Sequence, residues 1–108
     1  MNYKHVHNSR PFDPADFPSL REFFSAYLHQ DFGEEYGSAA GAVKGFLADA
    51  SGDEILQVKE EWKRFRADYR GRSLTDTQAA LGQLGSTWLP ENEAELAGVD
   101  EILSRAEA

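Results

Sequence analysis

The feature that most constrains this chain is an apolar run between Asp53 and Gly71. Ile55, Val58, Trp62, Phe65 and Tyr69 recur there at intervals of three and four residues. At about 100° per residue that spacing gathers them on one side of an α-helix, whereas a strand would scatter them over both faces. The same period recurs along the chain. Leu20, Phe23, Phe24, Tyr27 and Leu28 form a stripe starting near Phe17 and Pro18. Asp16 is its expected N-cap, and Gly33 its expected stop. Val43, Phe46, Leu47 and Ala50 mark a second helix from about Ser38, its cap, to Ala50. A third follows Ser51-Gly52 and ends near Tyr69. A fourth covers roughly Thr75 to Leu84, with Thr75 and Gln78 as a capping box and Gly85 as its stop. The last, roughly Glu93 to Arg105, follows Pro90, Glu91 and Asn92 and carries Leu96, Val99, Ile102 and Leu103. Glu91, Glu93 and Glu95 suit the positive end of its dipole.

No segment sustains period-two alternation. The pattern predicts an all-α fold, a compact single-domain bundle of about five short helices. It would occupy residues 17–106, after an irregular lead-in over residues 1–16 broken by Pro11 and Pro14. Gly41 and Gly45 each weaken a helix by about 1 kcal/mol relative to Ala. Two glycines four apart are better explained by close approach of another helix. On the third helix Lys59, Lys63, Arg66 and Arg70 form a basic stripe beside the apolar one, with Glu54, Glu61 and Asp68 on the other flank. The basic residues either snorkel over the core edge, pair with the acids of the "DFGEEYG" segment, or form a ligand site.

Charge narrows the function classes. Nineteen acids against eleven bases give a net charge of −8, which disfavours nonspecific nucleic-acid binding. An acidic surface suits a basic protein partner or plain solubility. No apolar run is long enough to span a membrane. "MNYKHVHNSR" lacks the apolar core of a secretory signal, and cysteine is absent, so a cytoplasmic location is expected. Gly-rich phosphate loops, nucleophile elbows and zinc-protease motifs are missing from the sequence. His5 and His7 form an H-x-H pair, but with one further His and no Cys they fall short of a zinc site. Neither a metal nor a cofactor is expected.

One cluster invites a catalytic reading. In "YLHQDFGEEYG", Tyr27 to Gly37, His29 and Asp31 stand two apart among acids and aromatics. If the first helix continues through them, Asp31 falls on the apolar stripe and His29 points roughly 160° away. Side chains so divided cannot serve as a base and its orienter, unless the helix ends before His29. Asp31 then reads as a buried anchor satisfied by backbone N–H groups around Gly33 to Glu35, by the Trp62 indole, or by an arginine of the third helix.

The stretch from Phe17 to Ser51 resembles the opening of the contact-dependent growth inhibition immunity proteins, the CdiI immunity-domain group. Tyr27, His29, Gln30, Asp31 and Phe32 match its Y-x-H-Q-D-W/F core, and Val43, Phe46 and Leu47 its following helix. "LGSTWLPENEAEL", Leu84 to Leu96, is similar to a later L-G-x-x-W/Y-x-P segment. The resemblance implies a non-catalytic protein that binds the C-terminal toxin domain of a contact-dependent growth inhibition effector and neutralises it in the cytoplasm. That partner is expected to be basic, as a nuclease would be. The shared motif then serves as scaffold, and Glu34, Glu35 and Tyr36 are the partner-binding candidates. Two other classes stay open: an acidic protein-binding module or regulator with no toxin, and a small hydrolase using His29 with Asp31 or Glu35.

Overall fold

The computed structural model describes residues 12–30 and 32–106. His5, His7 and Asp31 lie outside the described residues. Six helices follow a short 3-10 turn at Pro14–Asp16: α1 (Pro18–Tyr27), α2 (Phe32–Tyr36), α3 (Ala39–Asp49), α4 (Gly52–Tyr69), α5 (Leu74–Gln83) and α6 (Glu93–Arg105). No strand occurs among the described residues, and no helix there is long and apolar enough to cross a membrane. The all-α architecture expected from periodicity is the one observed, with one short helix, α2, added to the five long ones.

α4 is the longest helix. Its start is set locally. Ser51 Oγ accepts from the Glu54 backbone N–H at 3.2 Å, and Glu54 Oε1 accepts from the Ser51 N–H at 2.9 Å. This reciprocal capping box satisfies two donors that a helix start otherwise leaves open. The apolar stripe of α4 is buried throughout, at Ile55, Val58, Trp62, Phe65 and Tyr69. α1 packs on both α4 and α3, and α3 also packs on α6. Leu20, Phe23, Phe24 and Leu28 of the α1 stripe, and Leu96, Val99 and Leu103 of α6, complete one continuous core. Burying each such side chain contributes about 1.5–3 kcal/mol.

α1 departs from expectation at both ends. Its N-cap position is Phe17, whose side chain cannot cap, while Asp16 belongs to the preceding 3-10 turn. The missing cap is supplied by tertiary structure. Glu61 of α4 reaches the α1 start, and its Oε1 accepts from the Leu20 N–H at 2.9 Å. Glu61 is only 7% exposed, so its assignment to a polar flank is corrected. Arg64, one turn on, donates to the Asp16 carbonyl at 3.2 Å and lies over the Phe17 ring. At its other end α1 stops at Tyr27, well before Gly33. Leu28 leaves helical geometry at φ −118°, ψ 38°, and its carbonyl accepts from the Thr87 N–H at 2.8 Å. That bond joins the "YLHQDF" stretch to the "LGSTWLP" stretch. Gly85, at φ +93°, ends α5 beside Ser25 of α1, where a Cβ would sit 3.1 Å from Ser25 Oγ.

Two further assignments change. α5 is capped by Ser73, whose Oγ accepts from the Asp76 N–H at 3.1 Å, not by Thr75. Gln78 therefore joins no capping box, and its Nε2 donates to the Pro90 carbonyl at 2.6 Å. In the α6 lead-in Glu95 does more than complement a dipole. It accepts from the Trp88 indole at 3.0 Å and from the Glu91 N–H at 3.3 Å, which fixes the loop's tryptophan.

Candidate functional site

The α2–α3 turn is built around the two α3 glycines. α3 begins at Ser38, whose Oγ accepts from the Gly41 N–H at 3.0 Å, and Gly37 turns the chain before it at φ +79°. A Cβ on Gly41 would collide with the Tyr36 carbonyl oxygen, and one on Gly45 would lie 2.8 Å from Tyr36 Cε1. The glycines therefore admit a neighbouring helix, and that helix is α2. Tyr36 is half-buried in this seat, its ring 6.0 Å from that of Tyr27. It acts first as a packing residue, which leaves Glu34 and Glu35 as the exposed part of the expected contact set.

His29 and Glu35 come together. Because α1 ends at Tyr27, the helical phase that would send His29 outward does not extend to it. His29 Nε2 lies 3.0 Å from Glu35 Oε1. The pair bridges the end of α1 to α2 and clasps the turn. Gln30 is exposed. Two of the side chains considered for Asp31, the Trp62 indole and an arginine of α4, bond to Asp100, and Asp31 itself lies outside the described residues. The Trp62 indole donates to Asp100 Oδ1 at 2.7 Å, and Arg66 forks onto the same carboxylate at 3.0 and 3.1 Å. Among the described residues no three His, Cys, Asp or Glu side chains converge as a metal would need.

Beside this turn lies a groove of about 510 Å³ between α1, α3 and the start of α4. Phe23, Tyr27 and Phe46 form its aromatic side, and Glu22, Asp53 and Glu54 its charged side, with no basic residue among the described residues of the lining. The rings are tightly coupled. Phe23 and Phe46 have centroids 4.9 Å apart, and Tyr27 meets Phe46 edge-on at 5.4 Å. The Tyr27 hydroxyl donates to Asp49 Oδ2 at 3.4 Å. Burial, and then the Asp49 charge, push the Tyr27 phenol above its usual 10.0, so it remains a neutral donor near neutral pH. Hydrogen bonds from Ser51 hold the Glu54 carboxyl below the usual glutamate value. It therefore stays ionised further into acid. Phe23 and Phe46 are buried, so the half-buried Tyr27 ring is the aromatic surface the groove offers; ringed by carboxylates, it fits an aliphatic stem carrying a cation, as lysine and arginine do.

Sequence reasoning did not find this groove. Glu22 and Glu54 each look solvent-facing on their own helices, and only the crossing of α1 over α4 brings them together. Tyr27 was singled out as part of the motif, and its place here links that motif to the acidic groove.

A family model described as CdiI immunity protein matches residues 16–97. The span runs from the end of the 3-10 turn into α6 and includes both stretches joined by the Thr87–Leu28 bond. Comparison with curated proteins and with solved structures finds no match.

Proposed function

Because the chain belongs to the CdiI immunity protein family, whose members protect against a cognate toxin of contact-dependent growth inhibition and are generally non-enzymatic, we propose that it neutralises that toxin by binding the toxin's C-terminal domain in the cytoplasm. The contact surface is the acidic aromatic face: Glu22, Asp53 and Glu54 around the groove, with Glu34 and Glu35 on the adjoining turn. The toxin surface it meets is basic, as the substrate-binding side of a nuclease is. The observation that carries this reading is the groove of about 510 Å³ whose acids, beside the Tyr27 ring, face no base among the described residues of its lining. Aromatics supply contact area at little entropic cost, and acids steer a cationic partner and fix its register. His29, paired with Glu35, and Tyr36 act behind that surface, holding the turn in place.

The test is co-expression with candidate C-terminal toxin domains of contact-dependent growth inhibition effectors, scored by growth rescue and by co-purification. A Glu22→Lys/Asp53→Lys variant should melt within about 5 °C of wild type, because both side chains are exposed and reversing Asp53 at the α4 N-terminus costs about 1 kcal/mol. Its affinity should fall by about tenfold or more, which corresponds to about 1.4 kcal/mol. Most of the loss should be in association rate at low salt. Undiminished rescue and affinity in this variant would remove the acidic groove from the interface. Failure of the wild-type chain to bind any such toxin domain would overturn the functional reading itself.

A further inference from the structure

The basic stripe of α4 belongs to a second groove, of about 830 Å³, bounded by α4, α5 and α6. Five cations line it, Lys59, Lys63, Arg66, Arg70 and Arg72, against three acids, Glu60, Glu93 and Asp100. In a chain of net charge −8 this is a local reversal of sign. Three of the cations have structural work. Lys59 Nζ donates to the Ala106 carbonyl at 2.6 Å, Arg66 forks onto Asp100, and Arg72 lies over the Tyr69 ring. Lys63 and Arg70 are exposed, and among the described residues no hydrogen bond or ion pair engages either side chain. The negative end of the α4 dipole accounts for a cation at Arg70, but its influence fades within the last turn and does not extend to Lys63. Leu56, at the groove's other end, is 50% exposed, one of two large apolar side chains so placed among the described residues.

We infer that this groove binds an acidic peptide segment of a partner protein, one bearing at least one apolar residue for Leu56. Lys59 to Arg70 covers about 16 Å at 1.5 Å per residue, the reach of about five residues of extended chain. The alternative polyanion, a nucleic acid, fits less well. The Trp62 and Tyr69 rings are buried in the core and offer no open face on which bases could stack. Glu60 and Glu93 interrupt the cations, which suits discrete carboxylates and opposes a continuous phosphate chain. This site is separate from the acidic groove and goes beyond the toxin contact proposed there.

The experiment is fluorescence anisotropy of the full chain with a fluorescein-labelled peptide, Asp-Glu-Leu-Asp-Glu-Leu, at low ionic strength and as salt is raised. Binding should be measurable, should weaken with salt, and should fall by about tenfold or more in Lys63→Glu/Arg70→Glu. That variant should melt within about 5 °C of wild type, since neither side chain makes a bond and reversing Arg70 costs only its interaction with the α4 dipole. Lys63→Gln/Arg70→Gln should show an intermediate loss. Equal binding by wild type and the Glu variant overturns the proposal. So does tighter binding of a labelled single-stranded oligothymidine that is lost in the same variant, which would make the groove a nucleic-acid site.

Discussion

Glu61 offers the sharpest test of how this chain holds its first helix. Leu20 is the third residue of α1, so its N–H is one of the donors a helix start leaves without an internal partner. The preceding Phe17 has no capping group, and the Glu61 carboxylate, 41 positions along the chain, takes that role at 2.9 Å. Glu61→Ala removes a charge-assisted bond worth about 1.5–3 kcal/mol and a favourable charge at the helix's positive end worth about 0.3–1 kcal/mol. It also relieves the cost of keeping a carboxylate away from water, which offsets part of the loss. The net expectation is about 2 kcal/mol of destabilisation. Glu61→Gln keeps an acceptor oxygen but no charge and should cost about 1 kcal/mol. Urea unfolding followed by the fluorescence of Trp62 and Trp88, both buried, measures this directly. With a slope of about 2 kcal/mol/M the Ala variant should shift the midpoint by about 1 M. Its melting temperature should fall by about 10 °C. Glu60→Ala, one position away and exposed, should stay within about 0.5 kcal/mol of wild type. If Glu61→Ala and Glu60→Ala unfold together, Glu61 does not cap α1 and the argument fails.

The two α3 glycines should separate by what an added methyl meets. Gly41→Ala pushes on the Tyr36 carbonyl, so relief requires α2 to leave its seat. The gain of about 1 kcal/mol in helix propensity should mask much of the stability loss, while amide exchange over residues 33–37 accelerates. Gly45→Ala meets the Tyr36 ring, which can swing aside, and should change that exchange little; equal exchange in the two variants would remove the close-approach explanation. The α4 capping box predicts an acid limb. Glu54 titrates below its usual value of 4.5, so its stabilisation is complete above the unfolded-state value and is lost as pH falls through the folded one. Glu54→Gln should be less stable than wild type at neutral pH, with the gap closing below about pH 4.5. A gap that persists unchanged into stronger acid would assign the effect to something other than the carboxylate.

What could be read from the sequence was local. The start of α4 was legible at Ser51-Gly52, where the apolar stripe begins, although the reach of Glu54 back to Ser51 was not, and α6 was legible because Asn92 and its apolar stripe are adjacent. The same holds for the Gly85 stop and the purpose of Gly41 and Gly45. What could not be read were the long-range satisfactions. Phe17 leaves α1 uncapped in sequence terms, and nothing near it indicates that Glu61 completes the cap. Helical phase was carried too far at Leu28 because the departure from helix there is secured by a carbonyl bond to Thr87. Asp100 resembles any exposed α6 acid until α6 is packed beside Trp62 and Arg66. The motif residues Tyr27 and His29 were legible as a group, but their separate roles depend on where α1 ends.

The two grooves raise a question about charge that α4 itself answers in part. Asp53 and Glu54 lie at its N-terminal end, and Arg66 and Arg70 at its C-terminal end, as the helix dipole favours on stability grounds alone. Dipole complementarity does not bring Glu22 from α1 to the acidic end without a countercharge. Nor does it place an unpaired Lys63 before the last turn. Those two residues are the excess over what folding requires, and each sits in a groove. The 18 residues of α4 span about 27 Å, several times the screening length of about 8 Å at physiological ionic strength. In the cell, the acidic end therefore attracts a cationic surface without interference from the basic end. In dilute buffer the two fields overlap, so reversing Lys63 and Arg70 should slightly speed association of a basic partner at low salt and leave it unchanged at physiological salt. An acceleration that persisted at physiological salt would mean the grooves communicate through the fold and not through the field.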